Sequence, residues 1–265
     1  MVSMLDAITH PNSLILLAMV AAGGLASHVV ALGLLRYWSA RFDGQTTRLP
    51  VAPFFAAVTT IWALMFGFVA AEIWRTNSDA STTALAERSA IQRLAGMADE
   101  TALDLPLLRG ALFLYVEGVV ADEWGAQANA RPSPRVDEAL QAFRLGLIAA
   151  TRQGMSPILL SKMIADFDEL QDARNERLAI GSGQVASLKW ALVAVLALLS
   201  QASVAFVHTD RPAAGRTALM IFTVAACASI WLVALHALPY SGGVRISETE
   251  IAGLAELVAP PPNVP

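Results

Sequence analysis

Four apolar segments, Ser13 to Leu35, Val51 to Ile73, Leu188 to Val207 and Thr217 to Pro239, stand two and two around a long polar stretch from Arg75 to Ala186. Each runs for about 20 residues or more with at most one or two ionisable groups, and at about 1.5 Å of rise per residue that length matches a hydrocarbon core of about 30 Å. A backbone in lipid must close its hydrogen bonds internally, which single segments do as helices. The pattern predicts an all-α integral membrane protein with four transmembrane helices in a 2+2 arrangement. Helices 1 and 2 fall within residues 1–74, an extramembrane helical bundle over 75–186, helices 3 and 4 within 187–240, and a C-terminal tail over 241–265.

Composition removes the soluble alternatives. The mean hydropathy is +0.54, and 15% of residues are charged, against about a quarter in ordinary soluble domains. The net charge of -4 comes without a long basic run, so a nucleic-acid footprint is missing. One cysteine, Cys227, lies in the fourth segment, where it supports no disulfide, zinc or redox motif and reads as a small core residue. Met1 to Asn12 contains no Lys or Arg, unlike a cleavable signal, so the first segment is expected to remain as a helix.

Orientation follows from the arginines. The short loops Arg36 to Pro50 and His208 to Arg216 carry Arg36, Arg41, Arg48, Arg211 and Arg216 against Asp43 and Asp210. The positive-inside rule puts these loops in the cytoplasm of a multi-pass cell (inner) membrane protein and the central region on the extracytoplasmic side.

That region reads as helical throughout. From Arg75 to about Glu100 the second crossing continues, with Ala84, Ile91, Leu94 and Ala98 on one face as a rigid stalk. Asp104 and Pro106 open a helix through Leu107, Leu108, Ala111, Leu112, Tyr115, Val116 and Val119, ending near Asn129. Pro132 and Pro134 break it, Val136 to Ala150 forms another, and Ser156 with Pro157 starts a fourth through Ile164, Phe167, Leu170 and Leu178. Gly181 and Gly183 mark a candidate kink. The tail Pro260 to Pro265 reads as disordered.

Candidate chemistry lies first among polar residues inside the crossings, where burial is expensive. Counted from the short-loop ends, His28, Thr59, Gln201 and Thr223 each fall seven or eight residues in, about 10 to 12 Å deep. Ser27, Thr60 and Ser200 share the layer. The functional reading is a polar ring lining a permeation path, with His28 able to change charge near neutral pH; the alternative is hydroxyls bonded to their own helices and a His28–Gln201 link between two helices. Phe55, Trp62 and Phe66 share a face of the second helix, as a hydrophobic constriction in an oligomer or as core. Glu72 stands at the membrane edge, within reach of Arg75 or water, or as a pore-mouth group. Trp74, Trp190 and Tyr240 fit an aromatic belt. Asp166, Asp168, Glu169 and Asp172 lack the glycine and spacing of a calcium loop and read as a solvated helix face partly neutralised by Arg174 and Arg177. Neither a catalytic grouping nor a cofactor or metal motif is present, so an enzyme is not expected.

The exit of the second crossing reads Phe66-Gly67-Phe68-Val69, then Trp74, then Ala84-Leu85-Ala86-Glu87 with Ala90 and Leu94. Tyr115, Glu123-Trp124, Arg174, Arg177-Leu178 and Trp190 follow, with Pro239-Tyr240-Ser241-Gly242-Gly243-Val244-Arg245-Ile246-Ser247 after the last crossing. In order and spacing, over about Phe54 to Leu257, these resemble the bacterial bestrophin-like membrane proteins, a four-helix family defined as a domain of unknown function. Gly125 departs from a proline common in relatives. The resemblance implies the two-plus-two helix order of bestrophins, which are pentameric anion channels with a pore-lining second crossing and a cytosolic helical part; their calcium clasp has no counterpart here, and their orientation opposes the arginine count.

Two functions follow. One is a homo-oligomeric ion channel, anion-selective by the resemblance, in which Ala22, Gly23, Gly24 and Ala26 permit close helix packing. The other is a non-conducting membrane scaffold or sensor whose bundle binds a partner or ligand. The lipid bilayer, further copies of the chain and an inorganic ion are the expected partners.

Overall fold

The computed structural model describes residues 11–41, 51–183, 187–241 and 244–259. Its helices are α1 (Pro11–Arg41), α2 (Val51–Ala98), α3 (Pro106–Gly118), a π-helical turn (Val119–Ala126), α4 (Pro134–Arg152), α5 (Pro157–Ser182), α6 (Ser187–Val207), α7 (Pro212–Leu235) and two single turns, α8 (Thr249–Ala252) and α9 (Ala255–Val258). No strand occurs among the described residues. Four helices are long and apolar enough to cross a membrane: Asn12–Arg41, Phe55–Ala98, Ser187–Val207 and Pro212–Leu235, with mean hydropathies of 2.1, 1.8, 2.1 and 2.4. Asp43, Arg48, Gly242, Gly243, the first ten residues and the Pro260 to Pro265 tail lie outside the described residues.

Helix boundaries follow local chemistry. Pro106, Pro134, Pro157 and Pro212 each open a helix, where the missing N–H costs nothing and φ is already helical. Gly154, at φ +82°, stops α4, a left-handed turn that glycine adopts without strain. Where a kink is expected at Gly181 and Gly183, α5 instead ends: Gly181 sits in its last turn and Gly183 is extended. Arg36 and Arg41, expected in a loop, belong to the end of α1.

The chain divides into two compact units, one of Met1–Arg75, Val185–Leu238 and Gly242–Val244, the other of Thr76–Gln184, Pro239–Ser241 and Arg245–Pro265. In the first, Ala31 and Leu35 of α1 pack with Val204 and Ala205 of α6 and Leu219 of α7. A second cluster joins Val69, Ala70 and Ile73 of α2 to Val193 and Val233. Gly24 permits the close approach of α1 and α7, since a Cβ there would run into Cys227 Sγ. Ala22, Gly23 and Ala26 are exposed.

The second unit has the larger core. Ala84, Ile91 and Leu94 of α2 meet Leu108, Leu112 and Val116 of α3, Phe143 and Leu147 of α4, and Met163, Phe167 and Leu170 of α5. Each of the larger side chains contributes about 1.5–3 kcal/mol when fully buried. Phe143 and Phe167 stack with centroids 4.9 Å apart. Leu107 and Ile164, which belong to the apolar runs of their helices, point outward. Conversely, Ile251, Leu254 and Val258, within the expected tail, are buried in this core; their three- and four-residue spacing is itself a helical stripe. Arg88 pairs with Glu250 beside them.

Candidate functional site

In the first unit, three of the polar-layer residues come together. Gln201 Nε2 of α6 donates to Thr223 Oγ1 of α7 at 3.1 Å, and His28 Nδ1 of α1 lies 3.1 Å from the same oxygen. Thr223 gives its own proton to Leu219 O at 2.8 Å. A hydroxyl has one proton and two lone pairs, so this geometry assigns the Nδ1–H tautomer to His28. Gln201 Oε1 is buried without a partner. Three helices are thus tied at one hydroxyl.

Thr59 and Thr60 do not join this junction. Thr59 bonds Phe55 O at 2.9 Å in its own helix, and Thr60 is exposed. Ser27 and Ser200 likewise bond Gly24 O and Leu196 O. On α2, Trp62 stacks on Phe66 at 5.5 Å and meets Phe222 of α7 at 5.5 Å, while Phe55 and Phe66 pack against the two clusters of the unit. The face left open carries Ala57, Thr60, Ile61, Leu64, Gly67, Phe68 and Ala71. Glu72 pairs with Lys189 of α6 at 2.6 Å, and Arg75 is exposed.

The second unit holds a charged cluster at its centre. Glu87, Glu123 and Arg177 are fully enclosed and Arg174 is 4% exposed. Arg177 Nε and Nη2 donate to Glu87 at 2.6 and 3.0 Å, Nη2 also to Glu123 at 2.8 Å, and Nη1 to Asn129 Oδ1. Arg174 Nε donates to Glu123 at 3.0 Å and Nη2 at 2.5 Å, while Nη1 faces Asp137 at 2.8 Å. Tyr115 donates to Glu87 at 2.5 Å and the Ser133 amide to Glu123 at 3.0 Å. Arg177 also lies over the Trp124 ring, 5.2 Å from its centroid, and Tyr240 meets that ring edge-on.

The surroundings of the cluster are strained. Glu123 and Trp124 lie in the π-helical turn, and Ala128 and Asn129 follow with φ of +48° and +60°, a left-handed conformation that asparagine tolerates and that alanine reaches at a cost of order 1–3 kcal/mol. Asn129 is fully buried with Nδ2 unpartnered. Gly181 fits beneath it because a Cβ there would meet the Asn129 backbone.

Charge balance explains the titration. Burial pushes the Glu123 carboxyl up, but the hydrogen bond from Arg174, the charge of Arg177 and the Ser133 amide outweigh it and hold the group below its usual range. Burial and the neighbouring Glu87 charge raise Tyr115 far above a free phenol. Burial opposes the charge on Arg177, yet the two glutamates hold it protonated. Two charges of each sign cancel here, which makes the cluster a fixing device for four helical segments.

The residue reading places Arg174 and Arg177 against the acidic stretch of α5, and the structure corrects this. Both arginines point inward to Glu123 and Glu87, and Asp166 is itself buried, paired with Arg93 at 2.8 Å and with Lys162. The signal was available: Met163, Asp166, Phe167, Leu170, Ala173, Arg174 and Arg177 form one buried stripe, and a charge on such a stripe must find a partner. Among the described residues no group of His, Cys, Asp and Glu is placed to hold a metal ion.

Residues 22–251 match the family model of the Bestrophin-like domain. No curated protein matches the chain. Among solved structures, a crystal structure of a variant bacterial bestrophin homologue from Klebsiella pneumoniae has 12% identity and a TM-score of 0.68, covering 88% of this chain and 96% of its own. A second variant of that homologue has 15% identity and a TM-score of 0.68, covering 94% and 97%. A crystal structure described as a membrane protein variant has 13% identity and a TM-score of 0.69, covering 90% and 95%. At these identities the likeness is one of fold.

Proposed function

This chain belongs to the bestrophin-like family, and from that premise we propose that it is a homo-oligomeric ion channel of the cell membrane, selective for anions, with α2 lining the path. In this reading the four spans stand two and two about a bundle outside the membrane, on the extracytoplasmic side by the arginine count. The observation that carries the proposal is the open face of α2. Ile61, Leu64 and Phe68 are 51%, 57% and 66% exposed, and Thr60 shares their face. Repeated around a symmetry axis, such a face closes into a narrow apolar ring that gates by dewetting. Trp62, Phe66 and Phe55 brace it from behind. Glu72, the carboxylate nearest the end of that face, is neutralised by Lys189, so an anion meets little repulsion. The His28–Thr223–Gln201 junction holds α1, α6 and α7 together.

Purified protein in planar bilayers, with particle symmetry measured on the same sample, tests the proposal. A ring predicts an oligomer with anion current, and Leu64→Ala or Phe68→Ala should raise the conductance. A monomer or dimer without current would end the channel reading; a silent higher oligomer would favour the scaffold or sensor.

A further inference from the structure

We infer that the second unit carries a binding site for a small oxyanion, a carboxylate or phosphate, where α4 faces α5. A cavity of about 220 Å³ lies there, lined by Asp137, Gln141 and Arg144 of α4 and Gln171, Arg174 and Asn175 of α5. Pockets for drug-sized molecules run from about 300 Å³ upward, so this one suits a ligand of a few heavy atoms.

Its chemistry is set by Arg144. Nη1 donates to Gln141 Oε1 at 2.9 Å and Nη2 to Gln171 Oε1 at 2.8 Å, and the guanidinium lies over Phe167, 5.8 Å from the ring centroid. Two neutral amides and a ring fix the side chain, and no carboxylate pairs with it among the described residues. A guanidinium has five N–H donors, so three remain. The amide oxygens are spent on Arg144, which leaves the NH₂ groups of Gln141 and Gln171 as further donors, with exposed Asn175 beside them. A pre-oriented, charge-uncompensated fork among amide donors is a receptor for planar or tetrahedral oxyanions.

The second wall is Arg174. It turns Nε and Nη2 to the buried Glu123 and Nη1 to Asp137 at the cavity. Asp137 is 57% exposed at its side chain and is the one carboxylate of the lining. An oxyanion held by Arg144 competes with Asp137 for Arg174 Nη1, so occupancy bears on the residue that anchors the π-helical turn. The site stands independently of the channel reading.

Calorimetry on the full-length protein in detergent tests it, using sodium acetate and inorganic phosphate as probes at constant ionic strength, with chloride as the control salt. Saturable binding of acetate, phosphate or both is expected, and the stronger of the two identifies the oxyanion class. Arg144→Gln should weaken it at least about tenfold with the unliganded unfolding midpoint unchanged, because the side chain is exposed. Asp137→Asn should tighten binding several-fold by removing the competing charge. No saturable binding, a response equal to that of chloride, or unchanged affinity in Arg144→Gln would each overturn the site.

Discussion

Replacing Arg177 with methionine removes the one cation shared by both buried glutamates while keeping the length of its apolar stem. Arg177 is fully enclosed and donates four hydrogen bonds, two to Glu87, one to Glu123 and one to Asn129. Without it Glu87 keeps Tyr115 and loses its counter-charge, Glu123 keeps Arg174, and Asn129 loses its remaining side-chain bond. Removing one partner of a buried ion pair typically costs 3–5 kcal/mol, mostly from the charge left behind. The loss should therefore lie in that range, read as a shift in the unfolding midpoint in detergent at pH 7. Arg177→Met with Glu87→Gln removes the uncompensated charge as well, so the double variant should recover about 1–3 kcal/mol relative to the sum of the singles. A single-variant loss below about 1 kcal/mol, or strict additivity, would refute the view that these charges hold the unit together.

The same cluster sets a pH window. Glu123 titrates below its unfolded value of about 4.3, so its stabilisation is present above that value and disappears as pH falls through the lower folded value; Tyr115, raised in the fold, loses stabilisation as pH climbs past about 10, where only the unfolded phenol ionises. Unfolding midpoints measured across pH should fall at both ends, and Glu123→Gln should flatten the acid limb. Gly24→Ala drives a methyl into Cys227 Sγ and should cost about 1–3 kcal/mol, restored by adding Cys227→Ala; no rescue would break the packing argument. Orientation is checked with Glu138→Cys in a Cys227→Ala background: a membrane-impermeant maleimide should label intact cells, and labelling only after lysis would turn the molecule over.

Membrane helices were legible because a span of about 20 apolar residues leaves the backbone one option, and the Pro and Gly boundaries were legible because their φ preferences act locally. The charged cluster was not legible as a unit. Its members appeared as separate motif residues, Glu87, Tyr115, Glu123, Arg174 and Arg177, and the contacts joining them span up to 90 positions of chain. Spacing along one helix favoured pairing Arg174 with its acidic neighbours; the tertiary fold overrode this because those arginines lie on the stripe that faces the core. The polar layer shows the same limit. Depth counting found His28, Gln201 and Thr223, whereas rotation about each helix axis, which depth does not encode, separated Thr59 and Thr60 from them.

The π-helical turn makes chain length more forgiving here than elsewhere in the bundle. Such a turn is an α-helix with surplus chain, and its wider winding takes up the extra residue. Removing one residue between Val119 and Asp122 would let the turn tighten to a regular helix and leave Glu123 near its present bearing on Arg174 and Arg177. The same deletion in the regular α5, between Leu170 and Arg174, would turn both arginines by about 100° relative to Met163 and Phe167, off the stripe that faces the core. Length is thus fixed more tightly in the helix that carries the cations than in the turn that carries their partner.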